Sequence, residues 1–168
     1  TMGGEVTGTI DESIRHAISK FSHIHFPANE DSRQRIIRMG EDPEFVHNVG
    51  CPRTDLVALE LQNDSYKVLK DLFRIFGGVG KSFDLKEPYL LVSQHSVTTE
   101  FGDNRWQIEE TLEALDKLSM PVIMLWPNAD AGSDDISKGI RVFRENKKPT
   151  WLHLFKKLPT HIYIHLMN

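Results

Sequence analysis

Several things are scarce in this chain of 168 residues, and each scarcity removes a class of protein. A single cysteine, Cys51, leaves no internal disulfide to staple a secreted scaffold and reads as a small buried hydrophobe in a reducing compartment. No apolar run reaches 18 residues, and the opening Thr1-Met2-Gly3-Gly4 has neither the basic start nor the hydrophobic stretch of a signal peptide. A cytoplasmic protein without membrane contact is expected. Positive charge is not in excess: 20 Lys and Arg face 24 Asp and Glu, giving −4, and the basic residues are scattered, so no nucleic-acid footprint is expected.

What is present suits a globular domain: 39% hydrophobic residues, 26% charged and nine Phe, enough to build a core without staples. Thr9-Ile10-Asp11-Glu12 reads as a capping box opening a helix near Ile10. Ile14, Ala17, Ile18 and Phe21 fall on one face of that helix, and Glu12, Arg15, His16 and Ser19 on the other. Alternation predicts a short strand over 21–26, followed by a helix over 30–39 stopped at Gly40, a strand over 44–49 and a helix from Thr54 or Asp55. Tyr66, Leu69, Leu72, Phe73 and Phe76 keep helical spacing until Gly77-Gly78-Val79-Gly80 interrupts it.

The second half alternates: strand 89–93, helix 104–118, strand 122–126, helix 134–145, strand 151–155, and a helix from Thr160. Repeated β-α units imply a parallel sheet with helices on both faces, and the strands over 89–92 and 122–126 are apolar without alternation, as in strands covered on both sides. Ligands of such sheets bind beyond the carboxyl ends of the strands, which directs attention to loops 94–103 and 127–133.

Five motifs have a chemical reading. Gly77-Gly78-Val79-Gly80-Lys81-Ser82 resembles a phosphate loop, but the first glycine of that pattern falls on Ile75 and the segment follows a helix, so it reads as an interdomain linker. His23 and His25 would share one side of a strand as two metal ligands, yet no third ligand is near in sequence, and no metal is expected. His95 follows an apolar strand, flanked by Gln94 and Ser96, with a side chain suited to proton transfer. Glu12 is a general acid or base on its helix face, with Arg15 one turn away, or simply a solvated helix start. Asn128-Ala129-Asp130-Ala131-Gly132-Ser133 is a polar turn suited to a hydroxylated ligand.

Four stretches in this order, Gly3–His16, Gly50-Cys51-Pro52, Gln94–Thr99 and Pro127–Ser133, resemble the hydrolysing UDP-N-acetylglucosamine 2-epimerases of sialic acid biosynthesis, over nearly the whole chain. The resemblance implies two Rossmann-like α/β/α domains of the glycosyltransferase-B type, with residues 1–65 closing the first, residues 66–168 opening the second, and the active site between them. It implies elimination of UDP across C1 and C2 of UDP-N-acetylglucosamine to a 2-acetamidoglucal, then hydration to N-acetylmannosamine. Glu12 and His95 match catalytic positions. Arg15, Gln94, Ser96, Asn128 and Asp130 match the substrate side. No cofactor is implied, and relatives often form homodimers.

Two departures stand out. The family's His-x-Glu ahead of the Gly-Gly pair is absent, with Met2 at the Glu position, and the Gly-Asn-Ser-Ser stretch that binds the diphosphate would follow Asn168. More protein is expected on both sides, and the chain alone is expected to turn over poorly. Two alternatives are a non-catalytic nucleotide-sugar-binding or regulatory domain, and a non-hydrolysing epimerase, in which the position of Gln94-His95-Ser96-Val97 usually reads Gly-His-Arg-Arg.

Overall fold

A computed structural model describes residues 10–97, 100 and 102–168, without the side chains of residues 10 and 11. The capping box at Thr9 therefore lies outside the described residues. The chain divides into two compact units, Thr1–Leu56 and Val57–Asn168. Among the described residues no helix is long and apolar enough to cross a membrane.

In the first unit, helix α1 spans Ile10–Phe21 and α2 spans Glu30–Arg38. The Asn29 side chain accepts from the Ser32 amide at 2.8 Å and so caps α2, while Gly40 takes the positive φ of 94° just past its end. The strands expected over 21–26 and 44–49 reduce to one parallel bridge, His25 with Val46. His25 N–H donates to the Phe45 carbonyl and His47 N–H to the His25 carbonyl, both at 2.9 Å, and a 3-10 turn at Pro43–Phe45 ends further pairing. The expected apolar side is inverted and the two histidines do not share a side: His25 is buried, whereas His23, Ile24 and Phe26 are exposed. Helix α1 shows the same inversion, with Ser19 buried and Ile14, Ile18 and Phe21 exposed.

Helix α3, Pro52–Glu60, starts two residues earlier than expected, because proline suits the first helical turn, where its missing N–H has no partner to lose. Cys51 stands just ahead of it, half-buried rather than buried. The Thr54 amide, then the Thr54 hydroxyl and the Arg53 amide, favour the thiolate and hold the Cys51 thiol below its ordinary range. A lowered value enlarges the thiolate fraction at every pH beneath the ordinary midpoint. Iodoacetamide should therefore alkylate Cys51 half-maximally below the free-cysteine midpoint of about 8.5; a midpoint at or above that value would contradict the assignment.

The second unit carries the sheet. Strands β1 (Val79–Gly80), β2 (Leu90–Ser93), β3 (Val122–Leu125) and β4 (Leu152–Phe155) are ordered β1-β4-β3-β2. Strands β2, β3 and β4 are parallel, and β1 adds to β4 antiparallel. The helices are α4 (Ser65–Leu69), α5 (Leu72–Phe76), α6 (Asn104–Leu118), α7 (Ser133–Lys147) and α8 (Thr160–Leu166). Period-two alternation divides β3 and β4 between two cores. Val122, Met124, Leu152 and Leu154 meet Ile108, Leu112, Ile136 and Ile140 of α6 and α7. Ile123 and Phe155 meet Leu69, Leu72, Ile162 and Leu166 of α4, α5 and α8 on the other face. This is the expected three-layer α/β/α arrangement. Strand β2 is only half-buried, at the edge of the sheet that the described residues form, where the apolar sequence predicts cover on both sides.

Two further elements differ from the sequence expectation. The helix read from Ser65 to Phe76 is broken at Lys70-Asp71 into α4 and α5, both of which still bury a leucine on the same face of the sheet. The glycine run read as a linker is instead the edge strand β1 and its approach, pressed onto β4. A Cβ on Gly78 would lie 2.5 Å from His153 Nε2, and one on Gly80 would lie 2.1 Å from the Leu152 carbonyl oxygen. His153 is buried in β4, its ring edge-on to Phe73 and its nitrogens 2.9 Å from the Gly77 carbonyl and 3.3 Å from that of Lys81. These glycines permit a close backbone approach.

Candidate active site

Parallel strands β2 and β3 are neighbours, so the loops leaving their carboxyl ends are neighbours too. The loop after β2 carries Gln94, His95 and Ser96; the loop after β3 carries Asn128 and Asp130. His95 is exposed, and its Nε2 lies 3.1 Å from the hydroxyl of Ser93, the last residue of β2. In an extended segment residues two apart face the same way, which brings the Ser93 hydroxyl within reach of the ring. That spacing is readable in the sequence, where Ser93 also reads as the last residue of a strand.

Asn104, the first residue of α6, joins the two loops. It is fully buried, and its Oδ1 accepts from the Val97 amide at 3.1 Å. This bond fixes the amide orientation and turns Nδ2 towards Gly132, where an added Cβ would lie 2.3 Å from it and 3.4 Å from Ser96 Cβ. Gly132 also has φ of 87°, so geometry and space both require glycine there. Among the described residues, Ser96 Oγ and Asn104 Nδ2 are buried without a hydrogen-bond partner. Unmade polar bonds of this kind cost about 1–3 kcal/mol each and concentrate at functional sites. Nothing in the sequence around Asn104 marks it, because its role depends on where the next loop folds.

The remaining candidates have plainer surroundings. Gln94 is half-buried and Asn128 and Asp130 are exposed, with the Asp130 carbonyl accepting from Ser133 N–H at 3.0 Å to close the turn before α7. Asn128 also lines a cavity with Trp126 and Arg141. Glu12 and Arg15 belong to the first unit, where both are half-buried on α1. The Glu12 carboxylate lies 3.7 Å from His16 Nε2, so its ion-pair neighbour on the helix is the residue four positions on. His23 and His25 do not form a pair of ligands: His23 is exposed, whereas His25 is buried with Nε2 3.4 Å from Glu41. Lys20 beside Glu41 holds that carboxyl below its usual range, so the His25 environment is an ion-pair cluster.

The family model for UDP-N-acetylglucosamine 2-epimerase matches residues 1–168. The chain belongs to that family. Among curated members of this epimerase family, it is 37% identical over 142 residues to the UDP-N,N'-diacetylbacillosamine 2-epimerase (hydrolyzing) of Legionella pneumophila, covering 84% of this chain and 35% of that protein. It is 32% identical over 145 residues to the UDP-N-acetylglucosamine 2-epimerase of Neisseria meningitidis, covering 86% of this chain and 36% of that one. The chain thus spans about a third of the length of these relatives. Among solved structures, a Neisseria meningitidis UDP-GlcNAc 2-epimerase bound to UDP-GlcNAc matches with TM-score 0.68 at 17% identity, covering 94% of this chain and 40% of that one. The chain therefore has the glycosyltransferase-B type of fold, seen here in its parallel sheet and two covering layers.

Proposed function

We infer that this chain forms part of a longer hydrolysing 2-epimerase, cytoplasmic and serving sialic acid synthesis, that converts UDP-N-acetylglucosamine to N-acetylmannosamine and UDP. The observation that carries the reading is the family match over all 168 residues, with His95 at the carboxyl end of a sheet strand. The chain's span of about a third of its relatives' length supports assigning the activity to the longer protein.

The chemistry follows from bond bookkeeping. A base removes the proton on C2, the C1–O bond breaks, and its electron pair leaves on the diphosphate oxygen, giving UDP and a 2-acetamidoglucal. Water then adds, its hydroxyl to C1 and a proton to C2 from the opposite face, and inversion at C2 is complete. Glu12 and His95 are proposed for the proton transfers at C2 and C1, since a carboxylate and an imidazole can both give and take protons near neutrality. Arg15, Gln94, Ser96, Asn128 and Asp130 are proposed to hold the substrate, with donors opposing charge on the leaving diphosphate.

Isotopes test the sequence of bonds. In deuterated water the sugar should gain deuterium at C2, and in oxygen-18 water the released UDP should carry no label, because the C1–O bond is the one that breaks. Label in the phosphate would overturn elimination in favour of attack at phosphorus. The name of the Legionella pneumophila relative favours a second substrate, UDP-N,N'-diacetylbacillosamine. Comparing kcat/KM on the two UDP-sugars decides between them.

A further inference from the structure

A serine, a histidine and a carboxylate meet in the second unit, outside the candidate active site. Ser65 opens α4, Glu60 closes α3 and His165 belongs to α8. Ser65 Oγ and His165 Nδ1 are 2.9 Å apart, and the other ring nitrogen, Nε2, lies 3.5 Å from Glu60 Oε2. The side-chain amide of Asn168 donates from Nδ2 to the same Ser65 oxygen at 3.0 Å. His165 is fully buried, whereas Glu60 and Ser65 are half-buried.

The neighbours assign the protons. An ionised carboxylate only accepts, so opposite Glu60 the favoured tautomer carries its hydrogen on Nε2, and Nδ1 is left to accept from the Ser65 hydroxyl. Asn168 occupies an acceptor position of that oxygen and leaves its proton free to point at the ring. The Nε2 contact is loose, and among the described residues this buried atom has no hydrogen-bond partner. Passage of the hydroxyl proton to Nδ1 would make the ring a cation beside Glu60 and tighten that contact. A nucleophile bonded to a base, with the base held by a carboxylate, is the arrangement that activates serine on unrelated folds. Docking of α8 onto α4 does not require it, because Leu69, Ile162 and Leu166 already share one core.

Ser65 also lines a cavity of about 830 Å³, within the range of small-molecule sites, about 300–1000 Å³. Tyr66, Leu91, Tyr163 and Met167 give it largely apolar walls, and the Tyr89 hydroxyl in it is committed to the Leu166 carbonyl at 2.9 Å. Among the described residues, none from the 94–97 or 127–133 loops borders it.

We propose that Ser65, His165 and Asn168 form an esterase site that takes small carboxylic esters with an apolar acyl group. Ser65 Oγ adds to the ester carbonyl carbon while its proton passes to His165 Nδ1, and Asn168 Nδ2 donates to the carbonyl oxygen as that oxygen gains charge. The acyl C–O bond then breaks, the alcohol leaves with the proton from Nδ1, and the acyl group stays on Ser65. Water attacks that acyl group by the same route, releasing the acid and restoring Ser65. Glu60 acts through His165 as a positioning residue. The site is independent of the epimerase reading, because it uses none of the residues assigned to that reaction.

Mixing this chain with p-nitrophenyl butyrate, with no UDP-sugar present, tests the proposal. A burst of p-nitrophenolate equal to the amount of protein is expected, and mass spectrometry of the quenched chain should place the butyryl group on Ser65. Ser65→Ala should remove both burst and label, and His165→Gln should slow the burst by at least about 10²-fold. Glu60→Gln should slow it with the half-saturating ester concentration unchanged, a split that a merely structural carboxylate would not produce. Should His165→Gln fail to fold, Ser65→Ala decides alone, since it removes a half-buried hydroxyl at a helix start. No burst from the unaltered chain, acylation at another residue, or an unchanged burst in Ser65→Ala would each overturn the proposal.

Discussion

Replacing His95 by alanine in the longer protein should lower kcat/KM by about 10²–10⁴, the range expected when a general acid or base is removed. The thermal midpoint should barely change, because the His95 ring is exposed and its hydrogen bond to the Ser93 hydroxyl, 3.1 Å long, is at the surface. Ser93→Ala provides the companion measurement. If Ser93 positions the imidazole by hydrogen bonding to Nε2, its loss should shift the pH profile of kcat and reduce the rate less than His95→Ala does. A His95→Ala enzyme with full turnover would remove the residue from the mechanism. A large fall in thermal midpoint would make it a structural group instead.

The second large effect is expected at Gly80, and it concerns stability. Its φ of 138° is a conformation that side-chain-bearing residues rarely adopt, which costs about 1–3 kcal/mol on its own. An alanine Cβ there would meet the Leu152 carbonyl oxygen at 2.1 Å. That oxygen belongs to the neighbouring strand, so it cannot rotate away as a side chain would, and relief requires opening the Gly80–His153 register. Overpacking adds about 1–3 kcal/mol, so Gly80→Ala should lose at least about 2 kcal/mol in urea unfolding of this chain. Were residues 77–80 a free linker, the substitution would change stability by no more than about 0.5 kcal/mol.

That contrast marks where the sequence is legible. Val122–Leu125 announces itself as a buried parallel strand because both of its faces are apolar, and Leu152–Phe155, apolar except for His153, follows in the same β-α rhythm with α6 and α7 at helical period. Gly77–Gly80 does not, since a glycine needed for close approach and a glycine in a flexible joint look the same until the partner strand is known. The His25–Val46 bridge fails for a related reason: one paired residue on each side leaves too short a signal, and the buried histidine sits where an apolar residue was expected. At the candidate site, the rule that ligands gather beyond strand ends points to Gln94, His95 and Asn128 as candidates without any tertiary knowledge. It cannot find Asn104, whose importance comes from Gly132 folding against it. Glu12 is legible only through family resemblance, because locally it looks like any acidic residue in a first helical turn.

The most direct test of the account is the yield of free UDP and free N-acetylmannosamine from UDP-N-acetylglucosamine, measured on the longer protein. Equal amounts of the two, with no UDP-sugar epimer accumulating, are predicted. An epimerised UDP-sugar without free UDP would make it a non-hydrolysing enzyme, and no conversion of either UDP-sugar would contradict the catalytic reading.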